Sequence, residues 1–181
     1  MYITKYFTSL KNKIDKIEKK KIEELSRIFA KYKKNKNNIF IFGNGGSASI
    51  ASHVATDLNK ICKISSRNFN EPNHITCYSN DYGYEKWIEE TLKIYAKKKD
   101  LVILISSSGK SKNMINAAKY CIKKKIRLIS FTGFSQKNLL NKLNKKDSLN
   151  FWVNSKNYNV VENLHQMILL SAIDNLINSK F

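Results

Sequence analysis

Four hydroxyls crowd one short stretch, Ser106-Ser107-Ser108-Gly109-Lys110-Ser111, directly after an apolar run and at the opening of a helical one. Neutral donors at a helix start, where backbone amides are unpaired and the dipole is positive, suit a single phosphate monoester. A second stretch, Phe42-Gly43-Asn44-Gly45-Gly46-Ser47-Ala48, also turns an apolar run into a helix. Its glycines permit positive φ and a close approach of the backbone to an anion or polar ligand. Two histidine–carboxylate pairs stand at helical spacing, His53 with Asp57 at i and i+4, and Glu162 with His165 at i and i+3. Each pair shares one helix face, where it can serve proton transfer or metal binding, or simply be a solvated surface feature. Asp81, in Asn80-Asp81-Tyr82-Gly83, is the remaining candidate, expected after a strand end on the same rim as the serines.

Nucleotide chemistry fits these loops poorly. Gly43, Gly45 and Ala48 match the spacing of a dinucleotide fingerprint, but the acid that should hold the ribose about 20 residues on is missing from Lys60 to Asn70. Gly109-Lys110-Ser111 resembles the end of a triphosphate-binding loop, yet Leu104 stands where that loop needs its first glycine. No nucleotide cofactor is therefore expected.

The elements that must position these residues alternate. Apolar runs at Ile39 to Phe42, Ile75 to Tyr78, Leu101 to Ile105, Leu128 to Phe131 and Leu149 to Val153 read as strands. Helical stretches read at Ser47 to Cys62, Tyr84 to Lys98, Ser111 to Lys124, Gln136 to Leu143 and Val160 to Ser179. Strands that are apolar throughout, separated by helices, imply a parallel sheet covered on both faces, so the fold class is α/β, doubly wound, in three layers. Ligands of such sheets sit beyond the carboxyl ends of the strands, where the glycine and serine loops fall. Ahead of the first strand, Ile3, Phe7, Leu10, Ile14, Ile17, Ile22, Leu25, Phe29 and Tyr32 form a near-heptad stripe. It predicts one long amphipathic helix over residues 1–34, packed on the domain or on a second subunit, before a core at 38–181. Nothing calls for a second domain. His74, expected just before a strand, and Trp87 and Trp152 read as packing residues.

The 181 residues carry 33 Lys and Arg against 14 Asp and Glu, a net charge of +19, and 42% are hydrophobic. That apolar content supports a buried core and excludes global disorder. Only Arg27, Arg67 and Arg127 are arginines, whereas phosphate and base-edge readers favour arginine's bidentate fork. The charge therefore reads as lysine-rich solvated helix faces, with some attraction for anionic small substrates, and no nucleic-acid partner is expected. No apolar run approaches the ~20 residues that cross a bilayer, and the N-terminus lacks a signal-peptide core, so the expectation is a cytoplasmic chain without a membrane partner. Cys62, Cys77 and Cys121 form no Cys-x-x-Cys pair and read as reduced thiols.

The order of Gly-Asn-Gly-Gly-Ser at 43–47, Asn80-Asp81-Tyr82-Gly83-Tyr84-Glu85, the serines at 106–111, Leu128 to Gly133 and a terminal helix resembles the sugar isomerase (SIS) domain family, and within it the phosphoheptose isomerases. The resemblance implies a five-stranded flavodoxin-like parallel sheet and a homotetramer with active sites at subunit interfaces. It implies phosphate binding by Ser106, Ser107, Ser108 and Ser111, and sugar contacts from Asn44, Gly45, Ser47 and Asp81. The implied reaction converts sedoheptulose 7-phosphate to D-glycero-D-manno-heptose 7-phosphate through an enediol, supplying heptose to lipopolysaccharide or another surface polysaccharide. Such a reaction needs a base and an acid or metal. The resemblance places Asp57 as base, one methylene shorter than the family's glutamate, with His165 as acid and Glu162 at the substrate. His53, Asp57, Glu162 and His165 are together a donor set for Zn²⁺ or another divalent ion, although nothing in the sequence demands a metal. Leu170 occupies the position of the family's second histidine. Three readings stay open: an active phosphoheptose isomerase, a related phosphosugar isomerase or aldolase-like enzyme with another sugar, and a silent member that binds a sugar phosphate or a replication-initiator protein.

Overall fold

The computed structural model describes residues 1–143 and 149–179. Five parallel strands, β1 (Ile39–Gly43), β2 (Ser66–Arg67), β3 (Leu101–Ser106), β4 (Arg127–Thr132) and β5 (Asn150–Trp152), pair in the order β2-β1-β3-β4-β5. This is the flavodoxin-like order of a doubly wound sheet. Period-two alternation sends Ile39, Ile41, Ile103 and Ile129 into one core and Phe40, Phe42, Val102, Leu104 and Leu128 into the other. The first face is covered by α2 (Lys19–Asn35), α3 (Gly46–Lys60) and α8 (Tyr158–Asn178), the second by α5 (Trp87–Tyr95), α6 (Lys112–Lys124) and α7 (Leu139–Leu143).

Three expectations change. Residues Ile75 to Tyr78 are not a strand but lie within the helix α4 (Pro72–Tyr82), which Pro72 starts from its first turn and which sets Ile75, Tyr78 and His74 half-buried on one side. The Asn80–Asp81 acid therefore sits at a helix end, not a strand end. Strand β2 takes the fifth place with only two residues, bonded to Ile39 and Phe40, too short to show as an apolar run. The N-terminal helix is also not continuous: α1 (Tyr2–Ile14) ends before Asp15–Glu18, and α2 begins at Lys19. The five-residue step from Ile17 to Ile22 slips the stripe out of phase, and the break restores it. Helix α2 buries Leu25, Ile28, Phe29 and Tyr32, and its Ser26 hydroxyl donates to the Ala172 carbonyl of α8 at 2.9 Å. Helix α1 buries no residue fully; Tyr6, Leu10 and Ile14 rest against Val153, Val160, Val161 and Leu164, and Ile3 and Phe7 stay exposed.

Candidate active site

Strands β1 and β3 are adjacent and in register, Gly43 beside Ile105, so the loops that leave them emerge at one level. Between them lies a cleft of about 320 Å³, walled by Asn44–Ser47, by Ile105–Ser108 with Ser111, and by Tyr158 and Glu162 from the first turns of α8. No wall residue carries a positive charge. Ser106 and Ser107 are buried, and the Ser107 hydroxyl has no hydrogen-bond partner. Ser111 is the N-cap of α6 but its side chain makes no capping bond, which leaves that hydroxyl for a ligand. A buried unpaired hydroxyl is costly unless something binds it, so the loop is arranged for an acceptor such as a phosphate oxygen. Lys110 is exposed and outside the cleft.

Gly109 shapes this loop. Its φ of +62° lies in the left-handed region, and a Cβ there would run into the Asn138 carboxamide. Asn138, buried, donates to the carbonyls of Ser135 and Gly133 and accepts from the Asn141 amide, while the Leu140 amide donates to the Gly109 carbonyl. The start of α7 thus locks the serine loop from behind.

Glu162 packs its carboxylate against Gly46, at the first residue of α3, where a Cβ would collide with it. Burial pushes the Glu162 carboxyl above its ordinary range. Its i+3 neighbour does not face the cleft. His165 is fully buried, its Nε2 donates to the Thr132 carbonyl at 3.0 Å, and its ring meets Phe131 edge-on. Nδ1 then carries no proton and no partner, and burial lowers the imidazole pKa to about 4. The side chain pins α8 to the end of β4 rather than presenting an acid or a ligand to the cleft.

His53 and Asp57 pair with each other, Nε2 to Oδ2 at 3.3 Å, on the outward side of α3, opposite the buried Ile50, Ala51, Val54 and Leu58. They do not line the cleft. Asp81 is exposed, accepts from the Asn80 side chain at 3.0 Å, and does not line it either. The structure therefore gathers Asn44, Gly45, Ser47, the four serines and Glu162 in one place, and leaves Asp57, His53, Asp81 and His165 outside it. Among the described residues, no three His, Cys, Asp or Glu side chains come together as a metal site, so His53, Asp57, Glu162 and His165 do not form one within a single chain. Leu170 packs half-buried on the core. Three wall residues, Gly46, Ile105 and Tyr158, lie outside the candidate set; Tyr158 stands at i−4 from Glu162, the one spacing that points to it.

A sheet of this order with a cation-free glycine and serine cleft at its carboxyl edge defines a class, and comparison with known proteins bears on it. The SIS domain model matches residues 2–133. The phosphoheptose isomerase of Aliarcobacter butzleri is 32% identical over 163 residues, 85% of this chain and 84% of that one. Two solved structures, a phosphoheptose isomerase from Francisella tularensis and one from Neisseria gonorrhoeae, each superpose with a TM-score of 0.89 over 98% of this chain; the first is covered over 97% of its length and the second over 98%. At 21% identity each, they establish the fold. The chain belongs to the SIS-domain family, on its phosphoheptose isomerase branch, a family of aldose–ketose isomerases. Among the described residues no helix is long and apolar enough to cross a membrane.

Proposed function

We propose that the chain interconverts a ketose phosphate and an aldose phosphate through an enediol, with sedoheptulose 7-phosphate and D-glycero-D-manno-heptose 7-phosphate as the pair. The observation that carries this reading is the cation-free cleft whose single ionisable carboxyl, Glu162, is raised by burial. Ser106, Ser107, Ser108 and Ser111 hold the phosphate, and Asn44, Gly45 and Ser47 hold the sugar. Glu162, kept neutral to higher pH than an ordinary carboxyl, tolerates the anion beside it and donates a proton to the carbonyl oxygen. A base takes the proton from the neighbouring carbon, giving the enediol, and returns it to the former carbonyl carbon, while the Glu162 carboxylate takes back the proton of the other hydroxyl, which becomes the aldehyde oxygen. Asp57 is that base, reaching the cleft of a neighbouring copy from the outward side of α3. Self-association into a homotetramer is supported by the exposed Ile3 and Phe7 on a helix that buries none of its own residues. No step is assigned to a metal, because the donor set does not converge within one chain.

Incubation of the purified chain with sedoheptulose 7-phosphate, followed by NMR, should show the aldose product and its loss in Asp57→Asn. If the wild type and Asp57→Asn share one background rate, the isomerase reading fails. One observation favours a silent, sugar-phosphate-binding member: the only histidine near Glu162 in sequence is buried and committed to Thr132. Binding without turnover would select that reading.

A further inference from the structure

Asn44 is held at the mouth of the cleft by two residues that do not line it. Asn113, in the first turn of α6 and 2% exposed, accepts a hydrogen bond at Oδ1 from the Met114 amide at 3.0 Å. A backbone N–H can only donate, so this contact fixes which end of the Asn113 carboxamide is oxygen. Its Nδ2 then donates to Asn44 Oδ1 at 2.9 Å, and its Oδ1 accepts from Asn44 Nδ2 at 3.1 Å, a closed pair of amides spanning 69 residues of sequence. The Tyr84 hydroxyl donates to the same Asn44 Oδ1 at 3.1 Å. Tyr84 is itself tethered, because Asn116, one turn further along α6, donates to the carbonyl of Glu85 at 2.9 Å. One helix thus references the serine loop, through Ser111 at its start, and Asn44, through Asn113 and the Tyr84 segment.

Counting donors and acceptors gives the consequence. Both lone pairs of Asn44 Oδ1 are taken, one hydrogen of Nδ2 is taken, and a single N–H is left. Turning the carboxamide over would set N–H against N–H and oxygen against oxygen across the pair, and would oblige the Tyr84 hydroxyl to accept where it now donates. We propose that Asn113 and Tyr84 are positioning residues that lock Asn44 as a one-hydrogen donor, so that it binds an acceptor oxygen of the open-chain sugar and binds it more strongly as that oxygen gains charge on the way to the enediol. This rests on the reading of the cleft as a sugar-phosphate site. A preorganised donor aimed at a developing oxyanion acts on kcat more than on ground-state binding.

The test uses the full chain with side-chain amide NMR of Asn44 beside steady-state kinetics. In the wild type, sedoheptulose 7-phosphate should shift one of the two Asn44 amide protons and inorganic phosphate neither. Asn113→Asp keeps the acceptor for Met114 but removes the donor to Asn44; it should abolish the selective shift and lower kcat about 100-fold, the scale of a lost oxyanion donor, with KM changed less than threefold. Tyr84→Phe, at an exposed position, should lower kcat about fivefold, the worth of one hydrogen bond, while leaving inorganic phosphate binding and the denaturation midpoint unchanged. The proposal is overturned if the sugar phosphate moves neither Asn44 proton in the wild type, or if both variants keep wild-type kcat and Asn44 resonances. A wild type that shows the selective shift but no turnover sinks the isomerase reading and leaves the lock standing.

Discussion

The two loops at the sheet edge and the two histidine–carboxylate pairs on the helices fared differently. Each loop leaves a fully buried strand, and register between β1 and β3 alone brings Asn44–Ser47 against Ser106–Ser111. The pairs depend instead on which way a helix face points. One pair, His53–Asp57, points away from its own chain's core, and the other is split, with Glu162 in the cleft and His165 behind it. Topology thus suffices to bring the two loops together, whereas the proposed proton transfer asks for Asp57 from another copy of the chain.

The largest effect should come from the side of the comparison that lies outside the cleft. Asp57→Asn should cut turnover by about 10²- to 10⁴-fold, the worth of a general base, while sugar-phosphate affinity measured by calorimetry stays within a few-fold. Parallel loss of affinity would mean that Asp57 serves the grip rather than the chemistry. Gly109→Val attacks the other side: a β-branched residue at φ +62° against Asn138 should cost on the order of 3 kcal/mol and abolish phosphate binding, read as a lower denaturation midpoint.

His165 separates support from chemistry through pH. Its folded pKa, about 4, lies below the ordinary 6.5, so the unfolded chain binds the proton more readily between those values. Stability from this group is complete above pH 6.5 and falls as pH drops towards 4, by up to roughly 3 kcal/mol. His165→Gln, which can still donate to Thr132, should remove its share of that slope in urea melts and keep turnover within a few-fold. A complete loss of turnover with an unchanged melting profile would return His165 to the catalytic set. The smallest effect is expected at Gly46→Ala, where the added methyl group meets Glu162 at the end of a flexible side chain; a few-fold loss in kcat with little change in stability should follow.

Much of this was legible in the residues. Continuous apolar runs marked β1, β3, β4 and β5, and glycines and serines at their ends marked the cleft. Strand β2 leaves no sequence signal because two residues make no pattern, and Ile75 to Tyr78 is ambiguous because a short apolar run fits a buried strand and a half-buried helix equally. The burial of His165 was written in the spacing, since Val160–Val161, Ile168–Leu169 and Ala172–Ile173 recur every four residues and Leu164–His165 falls on that stripe, with Glu162 beside it; pairing His165 with Glu162 as a shared chemical face passed over the apolar period. The Asn44–Asn113 pair joins a loop to a helix 69 residues further along the chain, and only their folding together reveals it. The net charge of +19 contributes no cation to the cleft wall, in keeping with a phosphate held by hydroxyls and amides.

The division of labour between copies is tested most directly by mixing two inactive variants, Asp57→Asn and a chain with Ser106, Ser107 and Ser108 all changed to Ala. Each alone should be inactive on sedoheptulose 7-phosphate. Unfolded together and refolded, they should regain measurable turnover, because an intact serine loop on one copy meets an intact Asp57 from another. A mixture as inactive as its components, beside a wild type that recovers its activity through the same refolding, would contradict the account.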